Sequence, residues 1–183
     1  DSRLLKTLQP VLAEGHRGIT AAVSKTKTIV ALWPGLREVA YGVAVDVGST
    51  TIAADLCDLT SGEVLCSASA MNPQIRFGED LMSRVSYVMM HPEGAEEMAR
   101  SIRQALNKLF AEVVAQVDGT LDDILEVSLV ANPIMHHILL GISPVELGGA
   151  PFALATDAAV EIPAWELELT INGGGRLYIL PCI

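Results

Sequence analysis

The chain has 183 residues and a mass of 19.4 kDa, room for one domain with a small appendage but not for two full domains. Half of it is hydrophobic, which excludes wholesale disorder, and only 4% is aromatic, too little for the base-stacking platforms of single-strand nucleic-acid binders. The formal net charge is −10; residues 1–40 hold six Lys/Arg against three Asp/Glu, and no basic side chain lies between Lys108 and Arg176. A groove that tracks nucleic-acid phosphates needs the opposite balance, so any phosphate ligand must be met by backbone amides or a metal ion.

In chain order, Leu4, Leu5, Leu8, Val11 and Leu12 fall at helical spacing and predict a short amphipathic helix closed by Gly15. Ile19 to Val23 and Thr28 to Trp33 read as short strands, with Pro34-Gly35 as a turn. Residues 1–40 therefore form a linker or a small middle segment.

The character changes at Tyr41. YGVAVD (41–46), TIAADLCD (51–58) and EVLCSASA (63–70) are three strands joined by short turns, an antiparallel meander. After MNPQIRFG (71–78) a helix carries Leu81, Val85 and Val88, and a longer one from about Glu93 to Val117 carries Met98, Ile102, Leu106, Leu109 and Val113. Met82, Met89 and Met90 are assigned, with Met98, to the core as filler. Thr120 and Asp123 resemble a capping pair, ILEVSLVA (124–131) is a buried strand, and PIMHHILLG (133–141) is a helix with Pro in its first turn. A closing hairpin is predicted between WELELTI (165–171) and RLYIL (176–180) across Gly173 to Gly175. The fold class is α/β.

Val127 to Val145 has no Asp, Glu, Lys or Arg and is long enough to span a bilayer. It holds Asn132, Pro133, His136, His137 and Pro144, poor tenants of hydrocarbon, and reads instead as a buried strand and helix. No membrane association is expected. Cys57, Cys66 and Cys182 form neither a CxxC pair nor a disulfide framework, and no signal peptide is visible, so a cytoplasmic location with reduced thiols is expected. A start at Asp1 without Met and a stop just after an apolar run read as cuts from a longer chain.

GVAVDVGSTT, residues 42–51, carries the chemistry. A strand delivers Asp46 to its end, and the chain turns at once through Gly48 into Ser49, Thr50 and Thr51. A phosphate oxygen can approach a glycine backbone closely, amides around such a turn form an anion-binding concavity, and the hydroxyls add donors. Asp46 can hold a magnesium ion through a water, since magnesium takes few carboxylates and keeps its own waters. The alternative is an ordinary hairpin in which Asp46 caps the turn.

With NPQIRFGEDLMSRV (72–85), VANPIMHHILLG (130–141) and LYILPCI (177–183), this arrangement resembles the ATPase part of the reductive activators of corrinoid proteins. That family lies within the acetate and sugar kinase, heat-shock chaperone and actin superfamily. The resemblance covers residues 41–183. It implies a ribonuclease-H-like first lobe of an actin-like ATPase domain, truncated before the second lobe, and residues 1–40 match only as the linker or middle segment. It implies ATP and magnesium as cofactors of a parent protein, a [2Fe-2S] ferredoxin-like domain outside this chain, and a corrinoid protein as partner, reduced from cob(II) to cob(I) for methyl transfer. No tightly bound cofactor is implied for this fragment, and a homodimer remains open. Carried over onto this chain, Asp46, Gly48, Ser49, Thr50 and Thr51 match the first phosphate loop, with magnesium on Asp46. Asn72, Gly78 and Asp80 match the segment after the third strand, and Asn132 and His137 the one after the fourth. Pro133 and Ile134 depart from the small or hydroxyl residues of the family pattern.

Other groups read as structural. His136 and His137 are adjacent, about 100° apart on a helix, and are not expected to chelate one metal together. Glu79-Asp80 sits where a helix begins, where acids favour the dipole. A non-catalytic binding or dimerisation domain of the same fold, or another ATPase or kinase of the superfamily, are the alternative functions. Three scattered cysteines cannot supply the four thiolates of a [2Fe-2S] centre. The purified chain should therefore carry no iron–sulfur cluster, and a stoichiometric cluster in iron and sulfide assays would overturn this.

Overall fold

Along Tyr41–Val47 the apolar side chains alternate, so one face of that strand can be buried while the other carries Ala44 and Asp46 outward. A computed structural model, which describes residues 2–182, realises this pattern; Asp1 and Ile183, the last residue of LYILPCI, lie outside the described residues. The elements are α1 (Ser2–Glu14), β1 (Ile19–Val23), β2 (Ile29–Pro34), β3 (Tyr41–Val47), β4 (Thr51–Asp58), β5 (Val64–Met71), α2 (Leu81–Met90), α3 (Gly94–Ala115), β6 (Ile124–Ala131), α4 (Pro133–Leu140), β7 (Val160–Pro163) and β8 (Arg176–Ile179).

Six strands form one sheet in the order β5-β4-β3-β6-β8-β7. β3, β4 and β5 are the expected antiparallel meander. β6 then joins β3 in parallel and β8 joins β6 in parallel, so three neighbouring strands end at the same edge. This is the α/β, ribonuclease-H-like lobe that the resemblance implies. Val43, Val45 and Val47 of β3, Ile52 and Leu56 of β4 and Val127 and Leu129 of β6 pack in one cluster with Ile102, Leu106, Phe110 and Val113 of α3. A second cluster joins Val85 and Val88 of α2, Met98 of α3 and Ile134 and Ile138 of α4. Among the described residues, no helix is long and apolar enough to cross a membrane.

Two expectations are corrected. The 165–171 segment forms no strand: Ala164–Leu167 is a 3-10 turn, Glu168 is left-handed at φ 56°, and β7 takes the place on β8. The alternation of Leu167, Leu169 and Ile171 is satisfied by burial alone. Asn107 of α3 holds this stretch by accepting from Thr170 N–H at 2.8 Å and donating to Glu168 O at 2.9 Å. The methionines of α2 are also not core filler. Met82, Met89 and Met90 are exposed, because the buried stripe of this helix is Arg84, Val85 and Val88; Met98 is buried as expected.

Residues 2–36 pair β1 with β2 in a hairpin of their own and set α1 against β2. The Arg3 guanidinium lies 4.1 Å from the Trp165 ring centroid, and Arg37 forms an ion pair with the buried Asp123 carboxylate. Asp123 opens β6, and its other oxygen accepts from the N–H and hydroxyl of Thr120, both at 2.9 Å. Burial pushes the Asp123 carboxyl up, but the Arg37 guanidinium and the Thr120 donors outweigh it and hold it below the ordinary value. A depressed carboxyl contributes stability above the unfolded pKa of about 4 and loses it as pH falls through the folded value. Arg37→Ala should thus lower stability by about 1–2 kcal/mol at neutral pH, less than for a fully buried pair because Arg37 is partly exposed. In paired melts the deficit should shrink as pH drops below about 4. A deficit that does not change with pH would mean that Arg37 acts through packing alone.

Candidate functional site

The turn between β3 and β4 is set by close backbone approach. Gly48 N–H donates to Thr51 O at 3.0 Å, and a Cβ on Gly48 would sit 2.7 Å from that carbonyl, so a side chain cannot be added without opening the turn. Ser49 and Thr50 form the tip. Among the described residues their two amides have no partner, and the hydroxyls of Ser49, Thr50 and Thr51 make no hydrogen bond. The Asp46 carboxylate, exposed on the open face of β3, is likewise unbonded. A capping role for Asp46 needs a bond from that carboxylate to a turn amide, and none is made.

Behind the turn lies a buried polar clamp. Asn72 is fully buried, donates from Nδ2 to Gly48 O at 2.8 Å and accepts Gln74 N–H at Oδ1 at 2.9 Å. Its own amide donates to Thr50 O at 2.8 Å. Arg84 of α2 is also fully buried. Its guanidinium donates to Ser49 O, to Gly78 O at 3.0 Å, to Gln74 Oε1 at 3.4 Å and to Met135 Sδ at 3.0 Å. Burial lowers its pKa, and the Asp80 carboxylate opposes that only in part; an arginine guanidinium is basic enough to remain charged all the same. A Cβ on Gly78 would sit 2.7 Å from Arg84 N, so the chain can pass this close only as glycine. Asp80 caps α2 by accepting Ser83 N–H at 2.7 Å, which holds its carboxyl below the ordinary value. Glu79 beside it is exposed.

The parallel strands bring the other candidates to the same edge. In register, Val47 pairs with Ala131, so the turn after β3 and the start of α4 are neighbours. Ligand crevices in open α/β sheets form outside such carboxyl ends. Asn132 caps α4 through Oδ1 on Met135 N–H at 3.0 Å, and among the described residues its NH2 group has no partner. His137 lies deeper. Its Nδ1 meets Pro133 O at 2.8 Å and its Nε2 accepts Ala155 N–H at 3.0 Å, so it anchors the irregular chain after α4. The structure thus gathers Asp46, Gly48, Ser49, Thr50, Thr51, Asn72 and Asn132 at one edge, links Gly78 and Asp80 to it through Arg84, and uses His137 inside the lobe.

Sequence reasoning missed Arg84. Its signal is the spacing of Leu81, Arg84, Val85 and Val88, in which an arginine occupies one position of an apolar stripe. The positive charge near the turn is therefore not limited to amides and a metal ion.

The sequence model of a family described as the RACo middle region matches residues 41–183. The chain belongs to that family. Its start coincides with the change of character at Tyr41. The corrinoid activation enzyme RamQ of Eubacterium limosum is 30% identical over 185 residues, which cover 100% of this chain and 31% of that protein. The solved structure of a reductive activator for corrinoid, iron-sulfur protein is 29% identical and superposes with a TM-score of 0.85 over 97% of this chain and 29% of the other. The chain thus spans about a third of the length of these relatives.

Arg84→Met keeps the apolar stem but leaves the carbonyls of Ser49 and Gly78 and the Gln74 amide oxygen without their donor. Each orphaned buried group costs about 1–3 kcal/mol, partly offset by removing a buried charge. The variant should lose about 2–4 kcal/mol of stability. Hydrogen exchange at the Gly48 and Asn72 amides, which bond to Thr51 O and Thr50 O across the turn, should quicken relative to that of β6. Unchanged exchange at the turn would mean that Arg84 does not hold it.

Proposed function

We propose that this chain is the phosphate-holding first lobe of an ATP-dependent reductive activator, which returns a corrinoid protein from cob(II) to cob(I) for methyl transfer. Residues 1–40 are its linker segment, and residues 41–183, which the middle-region family model matches, precede a second lobe with the adenosine site. A [2Fe-2S] domain elsewhere in the parent supplies the electron. Membership of the family and the names of both relatives support this reading. The observation that carries it is the turn at Gly48 to Thr51: two unpartnered amides, three free hydroxyls and an unpaired carboxylate, backed by a buried guanidinium.

In this reading the Ser49 and Thr50 amides and the hydroxyls of Ser49, Thr50 and Thr51 donate hydrogen bonds to phosphate oxygens. Gly48 lets the backbone approach them. Asn72, Gly78 and Asp80 fix the turn from behind, with Arg84 adding a positive field without touching the ligand. Asn132 offers its NH2 group from the neighbouring loop, and His137 steadies α4. Asp46 fits magnesium through a water, being a single unpaired and exposed carboxylate, as a metal that keeps its own shell requires. The ion, when bound, neutralises charge on the transferring phosphoryl oxygens. The work is done in the cytoplasm, where the three thiols, all free in this structure, stay reduced.

Asp46→Asn in the full-length parent is the decisive variant. It preserves shape and removes charge from an exposed, unbonded group, so the melting temperature should hold. ATPase activity should fall by about 100-fold or more, since displaced magnesium forfeits several kcal/mol of transition-state stabilisation. Corrinoid reduction should fall with it while the cluster spectrum is unchanged. An unchanged ATPase rate would end the phosphate-loop assignment and favour a non-catalytic binding or dimerisation lobe.

A further inference from the structure

His136 has no exposed surface, and among the described residues neither of its ring nitrogens has a hydrogen-bond partner. A neutral imidazole always presents one N–H and one lone pair, so both are stranded in the core, a costly arrangement unless something else meets them. The adjacent His137 ring lies 5.4 Å away centroid to centroid, tilted by 53°. The Sγ of Cys182, buried and without a hydrogen bond among the described residues, completes a cluster in which one ligand atom from each residue lies within 4.8 Å of the others. Adjacent residues on a helix diverge at Cβ, which is why the pair was not expected to converge. The imidazole arms are long enough to close that gap around a third group supplied by the chain that leaves β8.

We propose that His136, His137 and Cys182 form a binding site for a thiophilic divalent ion of the zinc class. Two imidazoles and a thiolate are a borderline-soft donor set suited to such an ion, with a fourth position left for water or another ligand. His137 already has the supporting contact that metal-bound histidines show, its Nδ1 being fixed on a backbone carbonyl, Pro133 O. Its Nε2 faces Ala155 N–H, which must give way to the ion. Ala155 lies in the irregular stretch between Gly148 and β7, where release disrupts no helix or strand. On binding, the Cys182 thiol loses one proton to solvent and its sulfur bonds the ion. The site joins α4, which follows β6, to the chain leaving β8; since those strands are parallel, it lies at the same edge as the β3 turn.

The test is titration of the chelator-treated 183-residue chain with Co2+ and then Zn2+. One equivalent of Co2+ should give tetrahedral d–d bands and a sulfur-to-cobalt charge-transfer band, both erased by Zn2+, and Zn2+ should raise the melting temperature. Cys182→Ser should abolish the charge-transfer band while Cys57→Ser retains it, and His136→Gln should weaken Co2+ binding by more than about tenfold. No charge-transfer band at stoichiometric Co2+, or one that survives Cys182→Ser, overturns the proposal. Should Cys182→Ser fail to fold, alkylation of the unaltered chain decides. Zn2+ must protect Cys182 and not Cys57, and equal labelling with and without Zn2+ overturns it. Because the readout is metal binding, its failure leaves the ATPase reading untouched, and loss of that reading leaves this one standing.

Discussion

A single buried guanidinium links the parts of this lobe that sequence keeps apart. Arg84 comes from α2, but its donors end on the carbonyls of Ser49 and Gly78, the side chain of Gln74 and the sulfur of Met135. The β3 turn, the segment after β5 and the start of α4 therefore share one hub. Burying an arginine without a carboxylate in hydrogen-bond contact is expensive, and such a group persists only where its donors are met. Here carbonyls meet them and the Asp80 carboxylate acts on the group only from a distance, so part of its positive field reaches the turn whose tip is Ser49. That property suits an acidic chain whose proposed ligand is an anion.

Parallel pairing supplies the second constraint. β3, β6 and β8 run together, so whatever follows each of them emerges at one edge. Asp46 and its turn, Asn132 with α4, and Cys182 are far apart in sequence and near one another in space for this reason alone. The meander β3-β4-β5 adds Asn72 to the same edge, because Thr51 pairs with Met71.

What was legible in the sequence follows from how local the signal is. β4 and β6 match their predicted spans because apolar alternation and flanking turn residues are local. The Thr120 and Asp123 cap and the glycine turn at 48 were readable for the same reason. The 165–171 stretch misled because its alternation reports burial on one side, which Asn107 and the core provide without a ladder. Met82, Met89 and Met90 misled because hydrophobicity does not reveal the side of a helix when an arginine stands in the buried stripe. The roles of Asn72 and His137 as internal braces, and the approach of Cys182 to the histidines, depend on contacts between distant segments that no spacing encodes.

The ion pair of Arg37 with Asp123 has a mechanical consequence. Asp123 stands at the entrance of β6, and Asn132 and α4 stand at its exit. An eight-residue strand in the middle of a sheet is a stiff rod about 26 Å long, held on both sides by its neighbours. A pull on the N-terminal segment reaches the start of β3 through the chain itself and the start of β6 through this ion pair, and both strands end at the same edge. Of the described strands, β6 alone has its entry fastened by an ion pair to residues 1–40 and its exit at the proposed phosphate edge. A displacement of residues 1–40 is thereby coupled to both Asn132 and the β3 turn through two central strands.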